Sequence, residues 1–252
     1  MSTVTGLLTA NAARWKKAKL TRASEFGPVA KRLIAAKARY QAVAAKTGVP
    51  WFVIAVIHQR ESSQNFSRSL AQGDPWNQVS THVPKGRGPF SSWEAAAIDA
   101  LVNCAPYASK WKDWSPGGTM TLLEQYNGLG YASKGLPSPY VWSGTDQYVS
   151  GKYVADGVFS ATTVDKQLGC AGLIMAMAAL DPSISFSGNV PVLTDAPVPQ
   201  SKPPVSKSEK SIVASSAAAA GAATVQYGLW IGIGVAALFI VSAFLYFKFI
   251  RK

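Results

Sequence analysis

Glu61 stands near the end of WFVIAVIHQRESSQNF, the run from Trp51 to Phe66, and is its one acidic residue. Phe52, Ala55 and Val56, flanked by Val53 and Ile57, form an apolar stripe wide enough to bury most of a helix. Glu61 falls at or just past the C-terminal end of that helix, where the macrodipole is negative and disfavours a carboxylate. Apolar surroundings act in the same direction, so the pKa of such a residue rises toward neutrality and the side chain can deliver a proton. General-acid chemistry is one reading; a solvated Glu closing the helix beside Arg60 is the other. His58, about one turn earlier, reads as a packed helix residue, with a catalytic role as the alternative.

The elements around this helix follow from spacing and punctuation. Val29, Leu33, Ala36, Tyr40 and Val43 recur at alternating intervals of four and three, which predicts an amphipathic helix over 28–46. Its apolar seam would dock on the domain and Lys31, Arg32, Lys37, Arg39 and Lys46 would form a basic rim; lying flat on a membrane is the rival arrangement. Thr47-Gly48-Val49-Pro50 breaks the chain before the Glu61 helix. From Ser67 to Phe90, turn formers at Gly73-Asp74-Pro75 and Gly86-Arg87-Gly88-Pro89 separate short β-prone pieces and predict an irregular hairpin, the one sheet expected. Ser92-Trp93-Glu94 opens a helix through Val102 with a capping-box form. TMTLLEQYN is a further helix, stopped at Gly128, and an apolar helix runs over 164–180 to Asp181-Pro182. Between them lie Tyr126, Tyr131, Tyr140, Trp142, Tyr148 and Tyr153 at irregular intervals. Their rings either staple the segment to the domain or line a groove for sugar faces.

Beyond about Ile184 the composition changes. Pro191, Pro197, Pro199, Pro203 and Pro204, among Ser, Val and Lys, predict a semi-extended linker. Tyr227 to Phe247, YGLWIGIGVAALFIVSAFLYF, is uncharged and long enough to cross a bilayer as one helix. Tyr227, Trp230 and Tyr246 suit the interfaces, and Lys248, Arg251 and Lys252 form a basic stub that favours a cytoplasmic C-terminus. LLTANAARW is too short and polar for a signal peptide, so the domain would need an unusual export route or a membrane enclosed in a virus particle.

The net charge of +12 divides unevenly, with +9 in 1–46, −1 in 47–182 and +4 in 183–252. A neutral central domain makes nucleic acid an unexpected partner, whereas the basic N-terminal helical arm suits an anionic lipid or polymer. Cys104 and Cys170 are either two buried thiols or one disulfide. With His58 and His82 the only histidines and no CxxC pair, no metal site is expected. The predicted organisation is an arm over 1–46, a domain over 47–182, a Pro/Ser/Ala-rich linker over 183–226, a transmembrane helix over 227–247 and a basic tail over 248–252.

Thr47-Gly48-Val49-Pro50 followed by WFVIAVIHQRESSQNF resembles the catalytic helix of lytic transglycosylases and goose-type lysozymes, in the lysozyme-like superfamily. There, a Gly-Val-Asp-Pro-like turn precedes an apolar helix ending in Glu-Ser, with an aromatic residue soon after. TLLEQYNGLGY is similar to their Tyr-Asn-Ala-Gly motif, with Gly128 replacing Ala and Leu129 replacing Gly. The resemblance implies a mostly α (α+β) lysozyme-like domain with a small β-hairpin. It also implies a peptidoglycan substrate, cleaved at the MurNAc–GlcNAc bond by a lytic transglycosylase or muramidase, with no metal or organic cofactor. Glu61 would be the general acid and Ser62 would help hold substrate, while Tyr126 and Asn127 would support the cleft wall and the catalytic carboxyl. Tyr131 would be among the rings touching sugar. Asp74 and Thr81 resemble the order of phage-type lysozymes, in which the Asp and Thr position water; alternatively Asp74 caps its own turn, and Glu61 acts alone to give an anhydro product. The rival from another class is a non-enzymatic membrane or virion structural protein with a lysozyme-like body and a basic lipid- or nucleic-acid-binding arm.

Overall fold

The structure, a computed structural model, describes residues 4–71, 73–82 and 84–187. Its helices in chain order are α1 (Val4–Lys17), α2 (Ala23–Ala35), α3 (Lys37–Thr47), α4 (Trp51–Ser62), α5 (Trp93–Asn103), a short 3-10 turn (Ala108–Lys110), α6 (Pro116–Asn127), α7 (Gly130–Ser133) and α8 (Pro139–Trp142). An antiparallel pair, β1 (Lys152–Ala155) and β2 (Val158–Ser160), precedes the last helix, α9 (Cys170–Ala178). The described chain is therefore mostly helical with one small two-stranded sheet.

Helix α4 is the axis of the packing. Trp51 to His58 are all buried, so the helix is covered on every side rather than along one stripe. Helices α3 and α4 meet at 112° across the Gly48–Pro50 break. Gly48 closes α3, and Pro50 precedes the first turn of α4, where a missing N–H or a fixed φ is harmless. At the far end Ser63 and Gln64 take left-handed backbone conformations, and their N–H groups bond to the carbonyls of Gln59 and His58. That stop leaves Glu61 in the final turn. A cluster of Tyr40, His58, Phe66 and Trp93 backs the helix, with the Arg39 guanidinium 3.9 Å from the Phe66 ring centre.

The N-terminal helices pack onto the body of the fold through their apolar faces. Phe26, Ala30 and Leu33 of α2 and Tyr40 and Val43 of α3 are fully buried in the same core as α4. Helix α1 lies on α6 so closely that a Cβ at Gly117 would come within 2.9 Å of Ala12 Cβ and of the Leu8 carbonyl. The apolar seam predicted over 28–46 is thus a core face, though carried by two helices that break at Ala36. Lys31, Arg32, Arg39 and Lys46 stay exposed along the rim.

Three more boundaries move. Among the described residues of 67–90 there is no strand: Arg68 and Pro75 make an isolated bridge, and bonds such as Ser69 N–H to Asp74 O and Phe90 N–H to Trp76 O hold the chain in loops. The sheet lies at β1 and β2, where Tyr153 and Phe159 pair and meet the Tyr131 ring edge to face. Residues 164–169 do not join the last helix, because Asp165 is pinned through its N–H by Tyr148 and through its carbonyl by Ser143. The body also continues past 182. Ile184 is buried, Phe186 packs on Trp15 and Phe52, and Ser187 bonds to Trp114.

Among the described residues no single helix is long and apolar enough to cross a membrane. The linker beyond 187, the segment 227–247 and the tail 248–252 lie outside the described residues. Cys104 and Cys170 are both buried free thiols.

Candidate active site

Burial in the last turn of α4 decides the state of Glu61. Its carboxyl is pushed from the ordinary 4.5 up to about 7 by removal from water, against the opposing pulls of a Tyr140 hydrogen bond and the Arg60 charge. The residue still keeps a partly exposed face. Tyr140, in α8, donates its hydroxyl to Glu61 Oε1 at 2.9 Å and is itself buried. Tyr126, at the end of α6, lies close enough to the same carboxyl that a charge on Glu61 helps burial to raise the Tyr126 pKa, and its hydroxyl donates to the Leu70 carbonyl at 3.1 Å. Gly73 comes up against the Glu61 carbonyl. Helices α4, α6 and α8 and Gly73 therefore converge on one acid whose pKa is raised toward neutrality.

The neighbouring cation is turned elsewhere. Arg60 donates to Asp165 Oδ2 at 2.9 Å and to the Leu168 carbonyl at 3.3 Å, and its guanidinium carbon lies 4.8 Å from the Tyr140 ring centre. Lys152 of β1 donates to the other Asp165 oxygen at 2.9 Å. Burial works against the Asp165 charge, yet Arg60 and Lys152 hold its carboxyl below the usual range.

The remaining predicted residues separate into those near Glu61 and those engaged elsewhere. Tyr126 belongs to the Glu61 wall, and Asn127 follows it as the partly exposed end of α6. Ser62 donates its hydroxyl to the His58 carbonyl one turn back. Tyr131 is buried and accepts the Tyr153 N–H at 3.0 Å, so it anchors the hairpin. Asp74 Oδ2 accepts the N–H groups of Thr81 and His82, each at 2.9 Å, and Oδ1 lies 2.6 Å from His82 Nδ1. Although burial opposes its charge, those bonds hold the Asp74 carboxyl below its usual range. It staples its own loop, as the turn-capping alternative has it, and Thr81 exposes its side chain. His58 is buried beside the Tyr40 hydroxyl, and burial lowers its pKa to about 4.

No family model, curated protein or solved structure matches this chain. A carboxyl that titrates near 7, retains a partly exposed face and is oriented by a phenol can donate a proton to a bound oxygen and take one back. Among the described residues no three His, Cys, Asp or Glu side chains gather as metal ligands.

Tyr140 and Asp165 did not stand out in the sequence. Tyr140 is one ring among many in an irregular segment, and its signal was the Pro139 beside it, which starts the short helix α8. Tyr140→Phe removes the bond that favours the charged form of Glu61. The Glu61 midpoint is expected to move above about 7, and stability to drop by roughly 1.5–3 kcal/mol above that pH, with less loss below it. Urea unfolding at acidic and alkaline pH would check this; an equal loss at both would show that the hydroxyl acts only through packing.

Proposed function

We propose that this chain cleaves the glycan strands of peptidoglycan, with Glu61 delivering the proton to the glycosidic oxygen. The observation that carries the reading is the Glu61 carboxyl itself, partly exposed at the end of α4 and oriented by Tyr140. Burial raises its pKa to about 7, so it retains protons near neutral pH. An acid of ordinary pKa would be empty of protons there.

The Asp74 oxygens are engaged by Thr81 and His82, which favours a route in which Glu61 acts without a second carboxylate. It first protonates the leaving oxygen and then, as a base, takes a proton from the muramyl 6-hydroxyl, whose attack closes an anhydro ring. A hydrolase would instead need a second acid or an activated water. Tyr126 lines the wall and Tyr140 holds the carboxyl in the donating orientation. The uncharged segment 227–247 supports attachment to a membrane, and the chain between it and the body would act as a tether that raises the local concentration of wall substrate. The exposed rim of Lys31, Arg32 and Lys46 suits anionic wall polymers or lipid headgroups.

The test is incubation of the full chain with purified peptidoglycan and mass measurement of the soluble products. Anhydro-ended fragments are expected. Reducing ends would replace the single-acid route by hydrolysis, and an absence of soluble fragments across pH 5 to 8 would remove the enzymatic reading.

A further inference from the structure

Arg60 precedes Glu61 directly, and its side chain is long enough to curl onto the carboxyl. Side chains one apart on a helix point in different directions, so a nearby acceptor decides where the guanidinium goes. Here it is held between Asp165, the Leu168 carbonyl and the Tyr140 ring, almost wholly buried, with side-chain exposures of 6% for Arg60 and 3% for Asp165. Asp165 is in turn fixed from four directions: Arg60 and Lys152 on its carboxylate, Tyr148 on its N–H and Ser143 on its carbonyl. An ion pair that deep is costly to bury and is seldom a gain in stability over an apolar pair, so its use is more readily sought in what it positions.

We propose that Asp165 is a positioning residue for Glu61: it draws the Arg60 guanidinium off the carboxyl and onto the Tyr140 ring, leaving the Tyr140 hydroxyl as the hydrogen-bond donor to Glu61. The inference rests on the reading of Glu61 as the proton donor. An arginine paired directly with Glu61 would keep it ionised and unable to donate. With Asp165 in place, the groups facing Glu61 are Arg60 from α4, Tyr126 from α6, Tyr140 from α8 and Cys170 from α9, of which Arg60 alone is charged and is already paired. Lys152 places the same device under the control of the hairpin. It bonds to Asp165 from β1, while the Tyr131, Tyr153 and Phe159 rings clamp the hairpin to α7.

The experiment is a carboxyl-carbon NMR titration of the full chain in detergent. The sequence has five glutamates, and Glu61→Gln identifies the Glu61 signal by its loss. Asp165→Asn keeps the shape and an acceptor but removes the charge, so Arg60 and Lys152 are left uncompensated. The Glu61 midpoint is expected to fall by about one pH unit or more. Lys152→Met removes one cation and leaves Asp165 to offset Arg60 more fully, so the midpoint is expected to rise. Opposite shifts from two neighbours are not what loss of packing would produce. Midpoints within about 0.3 of the wild type in both variants, or shifts of the same sign, would overturn the proposal. If Asp165→Asn fails to fold, the sign of the Lys152→Met shift decides: a rise supports it, and no change or a fall overturns it. The titration reads the carboxyl whether or not glycan is cut. A chain that shows both shifts but releases no fragments overturns the enzymatic reading and keeps the positioning; a chain that cuts glycan with flat titrations does the reverse.

Discussion

Glu61→Gln is expected to lower the release of soluble peptidoglycan fragments by between about 100-fold and 10,000-fold, the range that a positioned proton donor contributes. The amide fills the same space and accepts the same Tyr140 hydroxyl bond, but it cannot deliver a proton. Its effect on stability has the opposite sign to its effect on activity. The folded pKa of about 7 lies above the ordinary 4.5, so the native state favours the protonated carboxyl. That contribution is complete below about pH 4.5 and is lost as pH rises through about 7. Near pH 8 the wild type must hold a charge at a partly buried site and the glutamine variant need not. Glu61→Gln is therefore expected to unfold at equal or higher urea concentration than the wild type at that pH while being inactive. A variant that retains fragment release would remove Glu61 as the acid. In the wild type, release is expected to decline above about pH 7 as the donor loses its proton.

Much of this arrangement was legible because local and tertiary preferences agree there. Trp51 to Ile57 have no solvent-compatible face, and Gly48 and Pro50 bracket the start, so α4 and the position of Glu61 at its end follow from the chain itself. TLLEQYN and SSWE open or continue real helices for the same reason; Ser92 does accept the Ala95 N–H. The 67–90 segment misled because turn formers mark reversals without saying whether strands pair between them. The Thr81 and His82 N–H groups that a hairpin would share across a ladder go instead to the Asp74 carboxylate. Conversely, Asp156-Gly157 between Lys152–Ala155 and Val158–Ser160 is a strong short-range hairpin signal, with Gly157 at φ 69°, hidden in a segment dense with aromatic rings. The break at Ala36 has no local mark. Lys37 reaches Asp181 and Ser183, more than a hundred residues away in sequence, and periodicity carries no information about such a pull. Asp165 escaped notice for the same reason: its importance lies in Arg60, Lys152, Tyr148 and Ser143, which only the fold assembles.

Glu124 offers the second large effect, and it concerns stability rather than chemistry. It sits inside α6 at 1% exposure, and neither carboxyl oxygen makes a well-formed hydrogen bond among the described residues. Burial raises its pKa from 4.5 to about 7; the Arg14 charge, Asn11, the Trp142 indole and the Ser138 backbone pull the other way without offsetting it. The sign is that of Glu61: the stabilising contribution is present below about pH 4.5 and is lost on passing about 7. At about 1.4 kcal/mol for each pH unit, that gap corresponds to roughly 3 kcal/mol, a sizeable share of an ordinary domain's stability. Glu124→Gln keeps the shape and removes the ionisation, so it is expected to raise the urea midpoint near pH 8 while changing it little near pH 4.5. A glutamine that destabilises equally at both values would show that its amide cannot be accommodated between α1 and α8. Helix α1 lies over this part of α6, with Asn11 donating to Thr121 at 3.3 Å, so a charge forming on Glu124 is expected to weaken the seam on which α1 rests. Hydrogen exchange in α1 is accordingly expected to quicken above about pH 7 in the wild type, beyond the intrinsic base-catalysed rise, and not in Glu124→Gln.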